Sequence, residues 1–179
     1  MYQYTKQFTA ILITAAAILF IFPAAKAQSK ENNFITRNTL YADFATRGAY
    51  YSVNYDRIFK EGRQFTKSYR AGFSATDKTI ALPIGINFFT GHQASHMEIS
   101  LTLVPYIDNY KSFLSSIDLS DKKMLIIPGV GYRYQKPEGG FFFRAVAAPA
   151  IDLDPPSDYF WKMDGKLYPV LTIGAGYSF

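Results

Sequence analysis

The sequence contains no cysteine and only two histidines among its 179 residues. Without thiols the chain can form neither a disulfide framework nor a thiolate metal site, and no cysteine can carry a lipid anchor. Charged residues make up 18% of the chain and leave a net charge of +5. This charge is too mild to indicate nucleic-acid binding, and no Lys/Arg-rich run or aromatic RNA-binding motif occurs. We therefore expect no nucleic-acid partner.

Long apolar runs are scarce too. One lies near the start, from Ala10 to Phe22, preceded by Lys6 and followed by an Ala-x-Ala cleavage motif at residues 25–27. Such a run is shorter than the roughly 20 residues of a spanning helix and suits a secretory signal peptide. We predict that residues 1–27 are a cleaved signal peptide, with a retained anchor as the alternative. No later apolar run reaches about 18 residues, so we expect no helical span.

The chain is rich in aromatic residues, with 16 Phe and 14 Tyr, and has 12 Gly. Apolar and polar side chains alternate with period 2 in segments separated by turn residues, which predicts β-strands. Eight strands are predicted, at residues 38–46, 49–59, 65–75, 79–90, 95–106, 124–135, 140–151 and 167–179.

The connections alternate in length. Three are short, at residues 60–64, 91–94 and 136–139, and two are long, at residues 107–123 and 152–166. Short periplasmic turns and longer extracellular loops are typical of outer-membrane barrels, and an even strand count places both termini in the periplasm.

A soluble barrel of the lipocalin type would show the same alternation, with its polar face in water and about a quarter or more of that face charged. Here the polar face is mostly Gly, Ser, Thr and Asn, which suits a narrow lumen filled by side chains. The sequence therefore predicts an all-β fold: an eight-stranded antiparallel transmembrane β-barrel, an up-and-down meander, over residues 38–179. A short periplasmic segment, 28–37, precedes it. The predicted location is the outer membrane of a Gram-negative bacterium.

The last eight residues form a period-2 strand that ends in an aromatic residue. The pattern of Thr172, Gly174, Tyr177 and Phe179 resembles the C-terminal signal by which the outer-membrane assembly machinery recognises barrel proteins. We therefore predict that these four residues are an assembly signal. The expected partners are that machinery, periplasmic chaperones and outer-membrane lipids.

Six charged residues fall on the polar faces of the strands. They are Asp43, Asp56, Arg70, Glu98, Arg133 and Arg144. In a filled lumen such charges must be paired and hydrogen-bonded, so we predict an ion network. A gated conductance or a small-ligand site is the alternative.

No catalytic, cofactor or metal site is expected. His92 and His96 would lie roughly 13 Å apart in an extended segment, too far for one metal ion. His96, Glu98 and Ser100 share a strand face at spacings of roughly 6.6–6.8 Å, which does not make a catalytic relay.

The long connections contain aromatic residues that are candidates for binding an extracellular ligand of unknown identity. They are Tyr110, Phe113, Tyr159, Phe160 and Trp161. The alternative for the last three is an aromatic cluster at the membrane interface.

Two stretches carry a family resemblance, from Leu82 to Glu98 and from Gly129 to Pro149. Together with the Gly-Tyr-Ser-Phe ending, they resemble a family of small outer-membrane β-barrels common in Bacteroidota. The resemblance implies the barrel fold and no particular activity. We expect a non-enzymatic structural or surface-binding protein. A narrow pore or small-solute channel is the first alternative, and a lipid-modifying outer-membrane enzyme the second.

Overall fold

The computed structural model describes residues 33–46, 50–76, 78–91, 93–108, 122–154 and 164–179. The predicted signal peptide lies outside the described residues, as do His92 and the five aromatic candidates of the long connections, Tyr110, Phe113, Tyr159, Phe160 and Trp161.

The described part of the chain forms a closed eight-stranded antiparallel β-barrel, which confirms the predicted fold class. Its strand segments are β1 (Asn38–Ala45), β2 (Tyr51–Lys60), β3 (Phe65–Ala75), β4 (Thr79–Ala81), β5 (Ile84–Thr90), β6 (Ser95–Asp108), β7 (Lys122–Gln135), β8 (Gly140–Asp154) and β9 (Asp164–Ser178). Neighbouring strands pair in sequence order, with β4 and β5 both lying between β3 and β6, and β1 pairs with β9 to close the barrel. No helix in these ranges is long and apolar enough to cross a membrane.

The predicted fourth strand is split into β4 and β5. Leu82 and Pro83 interrupt it because proline has no backbone N–H to donate to a ladder. The neighbouring strands still bond across the break: the Gly72 N–H donates to the Pro83 carbonyl at 2.7 Å, and the Leu82 N–H donates to the Pro105 carbonyl at 3.0 Å. The two segments therefore act as one strand of the barrel.

Four strands extend further into the long connections than the alternation predicts. β6 ends at Asp108 and β7 begins at Lys122, while β8 ends at Asp154 and β9 begins at Asp164. The pairing of β8 with β9 continues without a register shift to Asp154 opposite Asp164. Backbone pairing thus extends these strands beyond the residues whose side chains alternate between apolar and polar.

The start of β1 and the end of β9 lie side by side at one end of the barrel, called here the terminal end. The three short connections lie at this end as well, because the strands alternate in direction. Where the connection between β7 and β8 meets β8, Gly139 and Gly140 have φ angles of 90° and 99°, a region that glycine enters without strain.

The interior is mostly polar and the outer face mostly apolar. Among the described residues, 18 polar or charged side chains are buried against 11 hydrophobic ones, whereas 24 large hydrophobic side chains are exposed. Water-soluble proteins place their apolar side chains inside, so this distribution is inverted.

Apolar side chains fill the interior toward both ends. Phe34, Ile58 and Phe89 form a cluster at the terminal end. A second cluster, nearer the opposite end, consists of Ala81, Val104, Leu125, Ala150 and Val170. The charged side chains lie between these two clusters.

Phe34 belongs to the segment before β1 and fills the terminal end of the lumen. Its ring is 3% exposed and lies 5.7 Å from the ring of Phe89 in an edge-to-face arrangement. The backbone N–H groups of Ile35 and Thr36 hold the segment in place by donating to the Pro137 carbonyl at 3.0 and 3.1 Å. The segment thus acts as a plug.

We expect Phe34→Ala to lower the free energy of unfolding by about 3 kcal/mol, as for other buried phenylalanines. Urea unfolding of the protein refolded in detergent measures the effect. Ile35→Ala, at a neighbouring side chain that is 80% exposed, is the control and should change stability by less than about 0.5 kcal/mol. Equal losses in the two variants would show that Phe34 does not seal the lumen.

Candidate functional site

The structure brings together all six charged residues predicted for the lumen. Each comes from a different strand: Asp43 from β1, Asp56 from β2, Arg70 from β3, Glu98 from β6, Arg133 from β7 and Arg144 from β8. None is more than 9% exposed. Inward placement follows from the period-2 alternation, which turns every second side chain of a strand to the lumen.

Acids and bases alternate along one continuous ion-pair chain. Its order is Arg70, Asp43, Arg144, Glu98, Arg133 and Asp56, and the successive N–O distances are 2.9, 3.0, 2.5, 3.4 and 2.8 Å. Three positive and three negative groups leave no net charge. Every charge has an opposite neighbour, as burial of ionised groups requires.

Glu98 is central because it separates two arginines. Arg133 and Arg144 lie directly opposite each other on β7 and β8, an unfavourable position for like charges. One oxygen of Glu98 pairs with each guanidinium, which compensates for this repulsion.

Uncharged polar groups complete the two ends of the ion-pair chain. Arg70 donates to the Thr102 hydroxyl at 2.7 Å. At the other end, Asp56 accepts hydrogen bonds from Ser68 at 2.9 Å and Asn87 at 2.7 Å. The ends are therefore not left as isolated buried charges, which would be strongly destabilising.

The guanidinium of Arg133 lies between two buried phenylalanine rings. Its Cζ atom is 4.3 Å from the ring centre of Phe89 and 4.9 Å from that of Phe142. Cation–π attraction in a desolvated site adds to the ion pairs there. Phe89 and Phe142 were not predicted as part of the network, although the alternation of their strands turns both side chains to the lumen.

Gly174, predicted as part of the assembly signal, lies opposite Asp43 on β1 and Arg144 on β8. A Cβ atom at this position would collide with Asp43 Oδ1 and come within 3.0 Å of Arg144 Cγ. Glycine here leaves room for the ion-pair chain. The structure thus gives Gly174 a packing role that the C-terminal pattern did not indicate.

Of the other three residues of the predicted assembly signal, Thr172 shares the inward face of Gly174, and Tyr177 and Phe179 lie on the outer face. Thr172 is half-buried, whereas Tyr177 and Phe179 are 61% and 55% exposed on the outer face. Asn38 and Phe179 exchange two backbone hydrogen bonds of 3.0 and 2.8 Å across the closing seam. The terminal residue therefore takes part in closing the barrel.

His96 is buried, and its ring nitrogens face backbone carbonyls. Nδ1 lies 2.5 Å from the Thr90 carbonyl oxygen and Nε2 lies 3.0 Å from that of Gln135. The carboxylate of Glu98 is paired with arginines. These contacts tie neighbouring strands together and form no relay from His96 through Glu98 to Ser100. Within the described ranges, no group of three or more His, Asp or Glu side chains could hold a metal ion.

Three atoms of the ion-pair chain have no protein hydrogen-bond partner: Asp43 Oδ1, Arg70 Nε and Arg144 Nε. They belong to one end of the chain, where Asp43 bridges the two arginines. At the other end of the chain, Asn87 Oδ1 also has no protein partner.

No protein-family model matches the chain, and no curated protein is significantly similar to it. The resemblance to small outer-membrane barrels of Bacteroidota therefore stays a prediction.

We expect Glu98→Ala to lower the free energy of unfolding by about 3–5 kcal/mol, because it leaves two buried arginines facing each other. Urea unfolding in detergent gives the value. Glu138→Ala removes an exposed acid and should stay within about 0.5 kcal/mol of the wild type. If both variants unfold at the same urea concentration, the interior is solvated and the pairing contributes little.

We expect Gly174→Ala to destabilise the barrel by about 1–3 kcal/mol through overpacking. Refolding in detergent without any assembly machinery distinguishes the packing role of Gly174 from its predicted role in the assembly signal. Lower stability under these conditions is the result expected from packing. Normal stability there, combined with poor insertion in cells, would assign Gly174 to recognition alone.

Proposed function

We propose that the chain is a small outer-membrane barrel that spans the bilayer, conducts no solutes, and serves a structural or surface-binding role without catalysis. The inverted distribution of side chains is the observation that carries this proposal. An apolar outer wall around a polar, paired interior is expected when lipid, and not water, surrounds a barrel.

β6 illustrates the support for a lipid-facing wall. Its outward residues Met97, Ile99 and Leu101 are 45%, 52% and 48% exposed, while the alternating His96, Glu98 and Ser100 are buried. Monomeric soluble proteins rarely expose apolar patches larger than a few hundred Å². A belt of this kind continues around the barrel, which favours insertion into a bilayer over solution in water.

The filling of the interior favours a closed protein over a channel. Guanidinium and carboxylate groups occupy the middle of the lumen, and the two apolar clusters lie beyond them toward each end. Eight-stranded barrels are just wide enough to be filled by side chains. An ion crossing this lumen would have to separate paired charges and displace Phe34.

The surface-binding part of the proposal depends on the two long connections, which lie outside the described residues. It is supported by the aromatic residues of their sequence, since Tyr and Trp are common at binding hot spots. Replacing residues 109–121 and 155–163 by short turns should abolish the binding of whole cells to an extracellular partner, while the barrel remains inserted in the outer membrane. Altered solute uptake would instead favour a channel, and altered lipid acylation an enzyme.

We expect Ile99→Asp to reduce insertion of the refolded protein into lipid vesicles, because a charge on the lipid face near the midplane is destabilising, by about 2–4 kcal/mol for Arg or Lys and by less for Asp. Flotation of the vesicles measures insertion. Ile35→Asp, at an exposed site outside the strands, is the control and should insert normally.

The inserted wild-type protein should give no current steps in a planar bilayer. A wild-type protein that stays soluble and monomeric in plain buffer would contradict membrane insertion, and regular current steps would contradict the closed lumen.

A further inference from the structure

The wall between β7 and β8 contains a gap in its backbone pairing. Paired residues continue as far as Ile126 opposite Ile151 and resume only at Val130 opposite Ala147. The register is the same on both sides of the gap, so no bulge interrupts the two strands. At the same level of the wall, β6 pairs with β7 and β8 pairs with β9 without interruption.

Two prolines cause the gap. The register places Pro128 of β7 directly opposite Pro149 of β8. Pro149 also lies opposite Pro169 of β9, and because neither has an N–H, that pair occupies a non-hydrogen-bonded position of the ladder. A strand turns its backbone groups to its two neighbours alternately, so those of Pro149 point to Pro128. Both hydrogen bonds expected between these two residues are therefore missing.

This placement leaves the two strands weakly joined. Proline in a sheet is normally confined to edge strands and bulges. At Pro105 one bond is retained, since its carbonyl accepts the Leu82 N–H at 3.0 Å. At Pro128 and Pro149, two carbonyl groups face each other with no N–H between them. Unpaired backbone groups are costly in a wall surrounded by lipid, so β7 and β8 gain little from staying together here.

The side chains around the gap are apolar and mostly small. Residues 126–130 and 147–151 include no polar side chain. Gly129, Ala148 and Ala150 are on the inward face and present little bulk to the lumen. The rings of Pro128 and Pro149 are exposed on the outer face. The gap therefore offers no group that would favour a charged or polar ligand.

The lumen behind the gap is apolar as well. Ala150 belongs to the buried cluster that contains Leu125, Val104 and Val170, and Ile127 packs against this cluster. The ion-pair chain lies on the other side of the gap, toward the terminal end. The gap thus connects the apolar outer wall with the apolar end of the lumen.

We propose that β7 and β8 separate at Pro128 and Pro149 and admit the acyl chain of a surrounding membrane lipid to this apolar cluster. The depth of the gap identifies the ligand. Leu101 of β6 lies opposite Pro128 and is part of the exposed apolar belt, so hydrocarbon chains lie against the gap in a bilayer. The inference rests on the proposed function, since the wall meets acyl chains only in a bilayer.

The test uses the full chain, expressed in a Gram-negative host, purified from its outer membrane and placed in phosphatidylcholine vesicles. The lipid carries a photoactivatable diazirine at the middle of one acyl chain. After illumination, mass spectrometry locates the modified residues. We expect modification of the inward residues Val104, Leu125 and Val170 as well as of the outward Leu101, which serves as the internal reference.

Replacing both prolines should close the gap. Pro128→Val combined with Pro149→Val restores two N–H donors at positions where each faces a carbonyl. Inward modification should then fall about thirtyfold relative to Leu101, the effect of two hydrogen bonds of ordinary net strength on an opening equilibrium. Pro169→Val is the matched control. Its nitrogen points away from β8, so the change adds no bond across the gap and should leave inward modification unchanged.

A reversible cross-link tests the same point without relying on the prolines. The chain has no cysteine, so Ile127→Cys combined with Ala150→Cys introduces one pair, opposite each other across the gap. Oxidation to the disulfide should block inward modification, and reduction should restore it in the same sample. Heat-modifiable gel mobility checks that each variant is folded.

Failure of the wild-type protein to insert into membranes would overturn both the proposed function and the lipid-entry proposal. An inserted barrel that is modified only on its outward residues would overturn lipid entry alone. Equal inward modification of the wild type, the double proline variant and the oxidised cysteine variant would show that acyl chains enter elsewhere, which would overturn the assignment to β7 and β8.

Discussion

Six ionised side chains share the interior of a barrel only eight strands wide, so each must find an opposite charge within it. The alternating order from Arg70 to Asp56 meets this requirement without leaving net charge. Other features make the arrangement possible: Gly174 leaves room for it, and the Phe34 plug covers its terminal end. Removing one partner from such a network is more damaging than replacing an exposed charge, because the remaining group stays buried and unpaired.

The same alternation that concentrates polar groups inside leaves the outer wall apolar. Every second residue of a strand faces the lumen, so a strand that supplies Glu98 inward also supplies Met97 and Ile99 outward. A polar inner face and an apolar outer face on the same strands both favour a barrel surrounded by lipid. A bilayer would accommodate the apolar wall, and the buried charges are paired within the protein. The closed seam between β1 and β9 leaves no unpaired strand edge in that setting.

Much of this architecture could be predicted from the sequence because alternation and turn residues are local signals. The same signals put the six charges on inward faces. They could not give the order of pairing, which depends on strand register and side-chain reach across the lumen. The burial of Phe34 in the lumen was not predicted, because Phe34 precedes the first strand and belongs to no alternating segment. The break at Pro83 was also missed, since the apolar alternation continues through it.

The central claim is that lipid surrounds the wall and that paired charges fill the lumen. Spin labels placed one at a time along β6 in vesicles test it most directly, through collision with oxygen and with a water-soluble nickel complex. We predict high oxygen access at Met97, Ile99, Leu101 and Leu103, and low access to both reagents at the residues between them. Nickel access along the outward positions would contradict membrane insertion, and nickel access along the inward ones would contradict a filled lumen.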